Sequence, residues 1–416
     1  MDRLLRAATT KTARTAAFFY FSNFGINVLR YFFHLILMKF LAPSAYGEFL
    51  SYLSFQYLLG IPMGTIGTVT TKTVAELYGK KDYHSIGAFF TYIIRLTLPV
   101  SIIIALVLVT FSSPLATLFK ASPIAFVVLG ISTLISLFST VIISYISAFQ
   151  KFVFQTAMGF SGMLLSIVLA IIFIRAGLGA TGAVVAQLLA GVIIAAISFI
   201  KIKPFITKTA DKIKKFSIDI KSLTGYSLFY TIGTLSLVST DVLTARMLLS
   251  PTDSGLYSAL SILGRMILFG LTPIIALVIP LASHRQAAFG TAKSIFIKLG
   301  FVIVLFGLIG VGFFSLAPVW FIKILSGALY VSAAPLLPLF ALSMFFFALS
   351  QFIVSYLLAT LRPRATIFLI AASVIQPLLF ALVGVSLGHV VTINFFLHLC
   401  LLISLSVFFF VPRPKA

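Results

Sequence analysis

Apolar residues run along this chain in blocks of about 20 or more, broken by short polar, glycine- or proline-bearing turns. A block of that length crosses ~30 Å of hydrocarbon as a helix. Spanning barrel strands are shorter and alternate apolar with polar positions, and these blocks do not alternate. The pattern predicts helical spans at 17–39, 46–70, 87–111, 123–149, 156–175, 179–200, 222–247, 254–280, 294–316, 330–360, 366–386 and 389–411. The pair 156–175 and 179–200 is parted only by a turn holding Gly177, Gly179 and Gly182 and is easily merged into one long span.

Composition agrees with an all-α integral membrane protein. Of 416 residues, 61% are hydrophobic and 9% charged, against about a quarter charged in a soluble domain. A water-soluble fold of this length needs a wettable exterior that so few polar residues cannot supply. The single cysteine, Cys400, excludes an intrachain disulfide.

The net charge of +22 is distributed unevenly. With the N-terminus placed in the cytoplasm, 22 of the 30 Lys and Arg fall on that side, five on the other, and Arg30, Arg95 and Arg265 within spans. This is the positive-inside pattern. It predicts twelve spans with both termini cytoplasmic, and it accounts for most of the charge with no nucleic acid as partner. Arg3, Arg6, Lys11 and Arg14 precede the first block without a small-residue cleavage site, so the first span is expected to be retained rather than removed as a signal peptide. Residues 201–221 form a lysine-rich cytoplasmic linker, expected to lie solvated or against anionic headgroups.

The two sides of that linker are related. Leu41-Ala42-Pro43-Ser44-Ala45-Tyr46-Gly47-Glu48-Phe49 recurs as Leu249-Ser250-Pro251-Thr252-Asp253-Ser254-Gly255-Leu256-Tyr257, an offset of 208. Proline is expected to end the outgoing helix, a hydroxyl or Asp to cap the next, and glycine to allow close helix packing. At an offset of 211, Pro62 matches Pro273, Ser144-Tyr145 matches Ser355-Tyr356, Lys151 matches Arg362 and Gly177 matches Gly388. Each half has an even number of spans, so the halves are parallel repeats. The expected organisation is a six-helix bundle at 1–200, the linker at 201–221 and a second six-helix bundle at 222–416. The matched prolines mark either bends around a central cavity or packing kinks.

Charges and strongly polar groups at membrane depth are costly and usually face a wet interior. Asn23, Asn27, Arg30 and His34 in the first span are spaced four, three and four apart and share one helical face. Tyr226, Tyr230, Thr234 and Asp241 lie close to one face of the seventh, with Arg246 near its outer end. Arg265 stands midway along the eighth span and Arg95 toward the cytoplasmic end of the third. Two deep cations, Arg30 and Arg265, against the one clear acid Asp241 suggest a net-positive cavity for an anionic, phosphate-bearing substrate, since guanidinium binds phosphate bidentately. The structural alternative is an ion pair of Asp241 with Arg265 or Arg30 that fixes helix packing. For Arg95 and Arg246 snorkelling to headgroups is favoured. His34 reads more readily as a polar group satisfied by its asparagine neighbours than as a titrating one, and Glu48 as a helix cap. No P-loop, Cys/His metal cluster or nucleophile–base set is present, so neither enzyme activity nor a cofactor is expected.

The Leu41, Pro43, Gly47, Phe49 segment and its second copy resemble those of the polysaccharide-repeat-unit flippases, which include the O-antigen translocases. These form a branch of the multidrug/oligosaccharidyl-lipid/polysaccharide exporter superfamily. Length, span count, basic linker and two-half build extend the resemblance over nearly the whole chain. It implies a MATE-like fold in the bacterial inner membrane. It further implies translocation of an undecaprenyl-diphosphate-linked oligosaccharide from the cytoplasmic to the periplasmic leaflet by alternating access, in contact with membrane lipids. A proton or sodium counter-ion and partners in glycan polymerisation are compatible with it. Related lipid II flippases carry arginines in their first helix, the helix that holds Arg30 here. Two alternatives stand beside this reading. A cation-coupled multidrug exporter needs buried carboxylates, of which Asp241 alone is evident. A membrane glycosyltransferase or polymerase needs a sizeable outer loop, which the span pattern lacks.

Overall fold

The computed structural model describes residues 24–206, 225–289, 291–360, 362–384 and 386–410. Asn23, the N-terminal cations, Lys208 to Lys221 of the linker and the Arg413–Lys415 tail lie outside them. The described residues form helices joined by short turns, with no strand among them.

By their contacts the described residues divide into two compact units, the first within Met1–Phe40 and Leu59–Leu223, the second within Leu41–Leu58 and Thr224–Ala416. In the first, α1 covers 24–40, α2 begins at Pro43 and continues to Gly79, and α3 is Tyr83–Thr110. A short α4 (Ser112–Leu118), α5 (Pro123–Ala148), α6 (Phe152–Phe173) and α7 (Gly179–Ile206) follow. The Asp82 carboxylate caps α3 by accepting from the Ser85 N–H at 3.0 Å. Helix α5 packs against α3 and α7. α1 docks on α6, where a Cβ on Gly25 would meet the Phe160 ring at 2.8 Å and one on Gly159 would meet Ile26 at 2.7 Å.

The second unit holds α8 (Tyr226–Leu237), α9 (Thr240–Leu248), α10 (Pro251–Ala276), α11 (Val278–Phe289) and α12 (Lys293–Leu316). After α13 (Pro318–Leu325) a 3-10 segment, Ala328–Leu336, leads into α14 (Leu337–Ala359), then α15 (Thr366–Val383) and α16 (Leu387–Phe410). Helix α14 packs against α12 and α16, as α5 does against α3 and α7. Ser250 caps α10 by accepting from the Asp253 N–H at 3.0 Å, and its hydroxyl donates to Asp253 Oδ2 at 2.8 Å. Pro251 therefore starts this helix as its first residue rather than ending the previous one.

The sequence repeat reappears as repeated contacts inside each unit. Tyr145 of α5 meets Phe90 edge-on at 5.6 Å, and its match Tyr356 of α14 meets Phe296 edge-on at 4.8 Å. Lys151 holds its ammonium 4.7 Å from the Phe205 ring of α7; its match Arg362 lies 4.6 Å from the Phe408 ring of α16. In each unit a cation following the fourth span grips an aromatic on the sixth.

Among the described residues nine helical stretches are long and apolar enough to cross a membrane. One of them, Phe152–Ile206, merges the two spans predicted at 156–175 and 179–200. At 55 residues a continuous helix would be ~80 Å long, far more than a bilayer core. The backbone instead breaks inside the π-type turn Ile174–Leu178, where Gly177 takes φ 87°. Glycine adopts that left-handed conformation without the Cβ clash of other residues. The described part of α1 is cut short by the limit at residue 24, and α2 carries too many polar residues to qualify; both stand where spans are predicted.

Candidate functional site

On α1, Asn27 and Arg30 are exposed, whereas His34 is buried. The single polar face expected from spacing is thus split, with its last member, His34, turned into protein. Arg95 on α3 is exposed, and no acid stands in α1, α3, α5, α6 or α7. Charge on these helices is therefore positive, carried by the exposed Arg30 and Arg95 and by Lys39, Lys201 and Lys203 at helix ends.

The seventh span is interrupted. α8 ends at Leu237 and α9 starts at Thr240, with Ser239 at φ −124° between them. No proline or glycine causes this. Thr240 is drawn across instead: its hydroxyl lies 2.8 Å from the Ser236 carbonyl and 3.0 Å from Gln376 Oε1 on α15. The break places Asp241 in the first turn of a half-helix, where its Oδ1 accepts from the Val242 N–H at 2.7 Å and the helix dipole favours a negative charge.

Asp241 is then fully engaged. Arg265 Nη2 donates to Oδ1 and Oδ2 at 2.8 and 2.7 Å, and the Tyr257 hydroxyl donates to Oδ2 at 2.8 Å. Asn394 Nδ2 donates to the Tyr257 oxygen, and Gln376 Nε2 donates to Asn394 Oδ1 at 2.8 Å. Asp241, Tyr257, Arg265, Gln376 and Asn394 are all buried. Nearby on α16, His398 Nδ1 and Ser343 Oγ are 2.9 Å apart, and the His398 ring stacks on Phe347 at 4.8 Å. The network joins α9, α10, α15 and α16. Of the two readings open for Arg265 in the sequence, the structure takes the internal ion pair. Arg265 does not present a cation to a cavity.

Arg246 also departs from expectation. It is buried rather than snorkelling: Nη1 donates to the Ser44 carbonyl at 3.0 Å, the Pro251 carbonyl at 3.2 Å and Ser254 Oγ at 2.9 Å. Ser44 belongs to the first copy of the repeat and Pro251 and Ser254 to the second, so one guanidinium ties both copies together within the second unit. Their glycines touch. A Cβ on Gly47 would lie 2.8 Å from Gly255 Cα, and one on Gly255 would overlap the Pro43 carbonyl. Tyr330 joins the seam by donating to the Leu41 carbonyl at 3.0 Å and meeting the Tyr46 ring edge-on at 6.1 Å. Glu48 is not a cap. It sits in the second turn of α2, where Oε1 accepts from Tyr52 Oη at 2.7 Å.

Tyr230 on α8 lies 3.5 Å from Gln351 Oε1 and 3.4 Å from Ser355 Oγ, both on α14, while Tyr226 is exposed one turn earlier. Sequence reasoning missed Tyr257, Gln376, Asn394 and His398. The signal was present in part, since Asn394 and His398 stand four apart in an otherwise apolar block, the spacing of one helical face.

No family model matches the sequence, and no curated protein does. Solved structures do match the fold. An inward-facing multidrug resistance MATE family transporter of the MOP superfamily superposes with a TM-score of 0.74 at 14% identity, over 92% of this chain and 94% of that one. The fold is MATE-like. The lipid II flippase MurJ, in an inward closed conformation, gives 0.70 at 14% identity over 94% of this chain and 87% of its own. The MATE multidrug transporter DinF-BH, in complex with R6G, gives 0.63 at 14% identity over 91% of each. The MATE-like chain is accordingly a multi-pass helical membrane protein, and its polar network and glycine seam lie in its second unit.

Proposed function

We propose that this chain is a flippase that moves an undecaprenyl-diphosphate-linked oligosaccharide, of O-antigen repeat-unit type, from the cytoplasmic to the periplasmic leaflet by alternating access. The observation that carries this reading is the fate of the embedded charges. Asp241, the one acid in the middle of a described span, is neutralised by Arg265 and fully hydrogen-bonded, while Arg30 and Asn27 stay exposed on α1. An exposed guanidinium at membrane depth is costly unless it faces a wet interior, where it suits a diphosphate. Both termini are taken to lie in the cytoplasm, with the two six-helix halves at 1–200 and 222–416 and the linker between them.

A multidrug exporter is the second reading, because two of the structural neighbours carry that description. The engaged carboxylate disfavours it. Reconstitution in vesicles holding a fluorescent undecaprenyl-diphosphate oligosaccharide separates the two. Translocation is read by accessibility to a membrane-impermeant quencher. Arg30→Ala removes charge-assisted hydrogen bonds worth ~1.5–3 kcal/mol, so a drop of about 10- to 100-fold in rate is expected. Translocation no faster than in protein-free vesicles, together with rhodamine 6G export, would reverse the order of the two readings.

A further inference from the structure

In the first unit, the end of the hairpin where α6 begins and α7 ends carries cations with no acid on its own helices to meet them. From 83 to 206 the sequence holds neither Asp nor Glu. Two of these cations exchange rings between the helices. Lys151, just before α6, holds its ammonium 4.7 Å from the Phe205 ring of α7, and Lys201 of α7 holds its own 5.7 Å from the Phe154 ring of α6. Lys201 and Phe205 are four apart and share a helical face. The exchange draws both ammonium groups onto one side of the hairpin. Burial, and after it the Lys201 charge, holds the Lys151 ammonium below the ordinary lysine range. Neither lysine has a hydrogen bond or an ion pair among the described residues.

The second unit shows how much of this is needed for packing. There the match of Lys151 is Arg362, which lies over the Phe408 ring and spends Nη1 on the Phe409 carbonyl at 3.0 Å. At the same offset of 211, Lys201 and Phe154 correspond to Pro412 and Ala365. One cation therefore suffices to clamp the helices together, and the second cation of the first unit is surplus to that task. An apolar surface runs up to the pair. Val153 and Ile200, each next to one of the lysines, are 69% and 68% exposed, and Ile193 and Ile197 are exposed farther along α7. Residues 193, 197 and 200 share one helical face. Two unneutralised cations at the head of a lipid-exposed strip match a phospholipid, with phosphate at one end and acyl chain at the other. A free anion would leave the strip unused.

We propose that Lys151 and Lys201 hold the phosphate of an anionic phospholipid from the leaflet at this end of the hairpin, with an acyl chain along Val153, Ile200, Ile197 and Ile193. The lipid supplies the negative charge that the hairpin lacks and relieves the repulsion between the two ammonium groups. A zwitterionic lipid brings its own cation to the same place and is held less well. The rings of Phe205 and Phe154 keep the ammonium groups in position before the lipid arrives, so little side-chain freedom is lost on binding. The site lies wholly within the first unit and does not depend on the cargo.

Native mass spectrometry of the full chain, titrated in detergent with dioleoylphosphatidylglycerol or dioleoylphosphatidylcholine, tests it. The wild type is expected to retain one phosphatidylglycerol in clear preference to phosphatidylcholine. Lys151→Gln with Lys201→Gln should weaken that binding ~30-fold, about fivefold for each lysine. Lys151→Arg with Lys201→Arg, which keeps both charges, should preserve it. Lys80→Gln with Lys81→Gln removes the same charge from exposed positions elsewhere in the first unit and should leave it unchanged. Lys201→Gln alone, which keeps the Lys151 clamp, serves if the double variant fails to fold and should weaken binding about fivefold. Equal retention of the two lipids by the wild type overturns the proposal. So does unchanged binding in the glutamine variants, or an equal loss in the Lys80 and Lys81 control. Displacement of the lipid by inorganic phosphate, beyond that caused by chloride at equal ionic strength, would make free phosphate the ligand and overturns it too. No cargo is added, so failure here is distinct from failure of the flippase reading.

Discussion

Removing Arg265 should destabilise the second unit far more than removing both partners of its ion pair. In Arg265→Met, Asp241 keeps the Tyr257 hydroxyl and the Val242 N–H but loses the two bonds at 2.8 and 2.7 Å that neutralise it. Both side chains are buried. Each lost charge-assisted bond is worth ~1.5–3 kcal/mol, and a buried charge left without its partner costs about 3–5 kcal/mol. Arg265→Met is therefore expected to cost about 3–5 kcal/mol. Asp241→Asn should cost a similar amount, because it strands the guanidinium. The double variant Asp241→Asn/Arg265→Met removes both charges and should lie within about 2 kcal/mol of wild type, giving a coupling energy of roughly 3 kcal/mol or more. Reversible unfolding in bicelles, with Trp320 fluorescence as one probe, measures all four corners. Additive single effects, or single variants within about 1 kcal/mol of wild type, would refute the view that this pair anchors α9 to α10. The same proteins address function: translocation by the double variant at near wild-type rate is expected if Arg265 never touches substrate.

Other substitutions discriminate between the glycines and the clasp. Gly255→Ala forces a methyl into the Pro43 carbonyl; a loss of ~3 kcal/mol or failure to fold is expected, read by thermal unfolding in detergent. Gly60→Ala, with open space around it, should raise stability by ~0.5–1 kcal/mol through helix propensity alone. Arg246→Met leaves the Ser44 and Pro251 carbonyls and Ser254 Oγ without their shared donor; ~2–4 kcal/mol should be lost, and faster proteolysis of the turn between α9 and α10 would report it. Tyr330→Phe deletes one bond to the Leu41 carbonyl and should cost ~1 kcal/mol in the same unfolding assay.

Much of the architecture was legible because hydropathy reports directly on the solvent around each helix. The short turn at Gly177 was legible as well, since only glycine reads as a tolerated left-handed residue there. The break before Asp241 was not. Ser236 to Thr240 contains neither proline nor glycine, and the distortion depends on Gln376, which is 136 residues away from Thr240. The ion pair was visible as one of two alternatives, because a sequence fixes which face a residue occupies on its own helix but not which neighbour that face meets. The repeat was plain in the letters, yet its spatial meaning was not. Nothing in either motif copy announces that Gly47 rests on Gly255 or that Arg246 clasps both.

The broken seventh span also bears on how the two halves of the repeat differ. The offset of 208 sets Arg30 and Phe33 in the places of Val238 and Asp241, and no charged residue stands at 54–57, where Arg265 has its match. One half keeps Arg30 exposed on a helix that is unbroken from 24 to 40; the other breaks its helix and locks Asp241 and Arg265 together. The copies have ceased to be interchangeable. A chain built by joining two first halves would carry the Arg30 position twice and lack the anchoring ion pair. One built from two second halves would carry two anchors and lack Arg30.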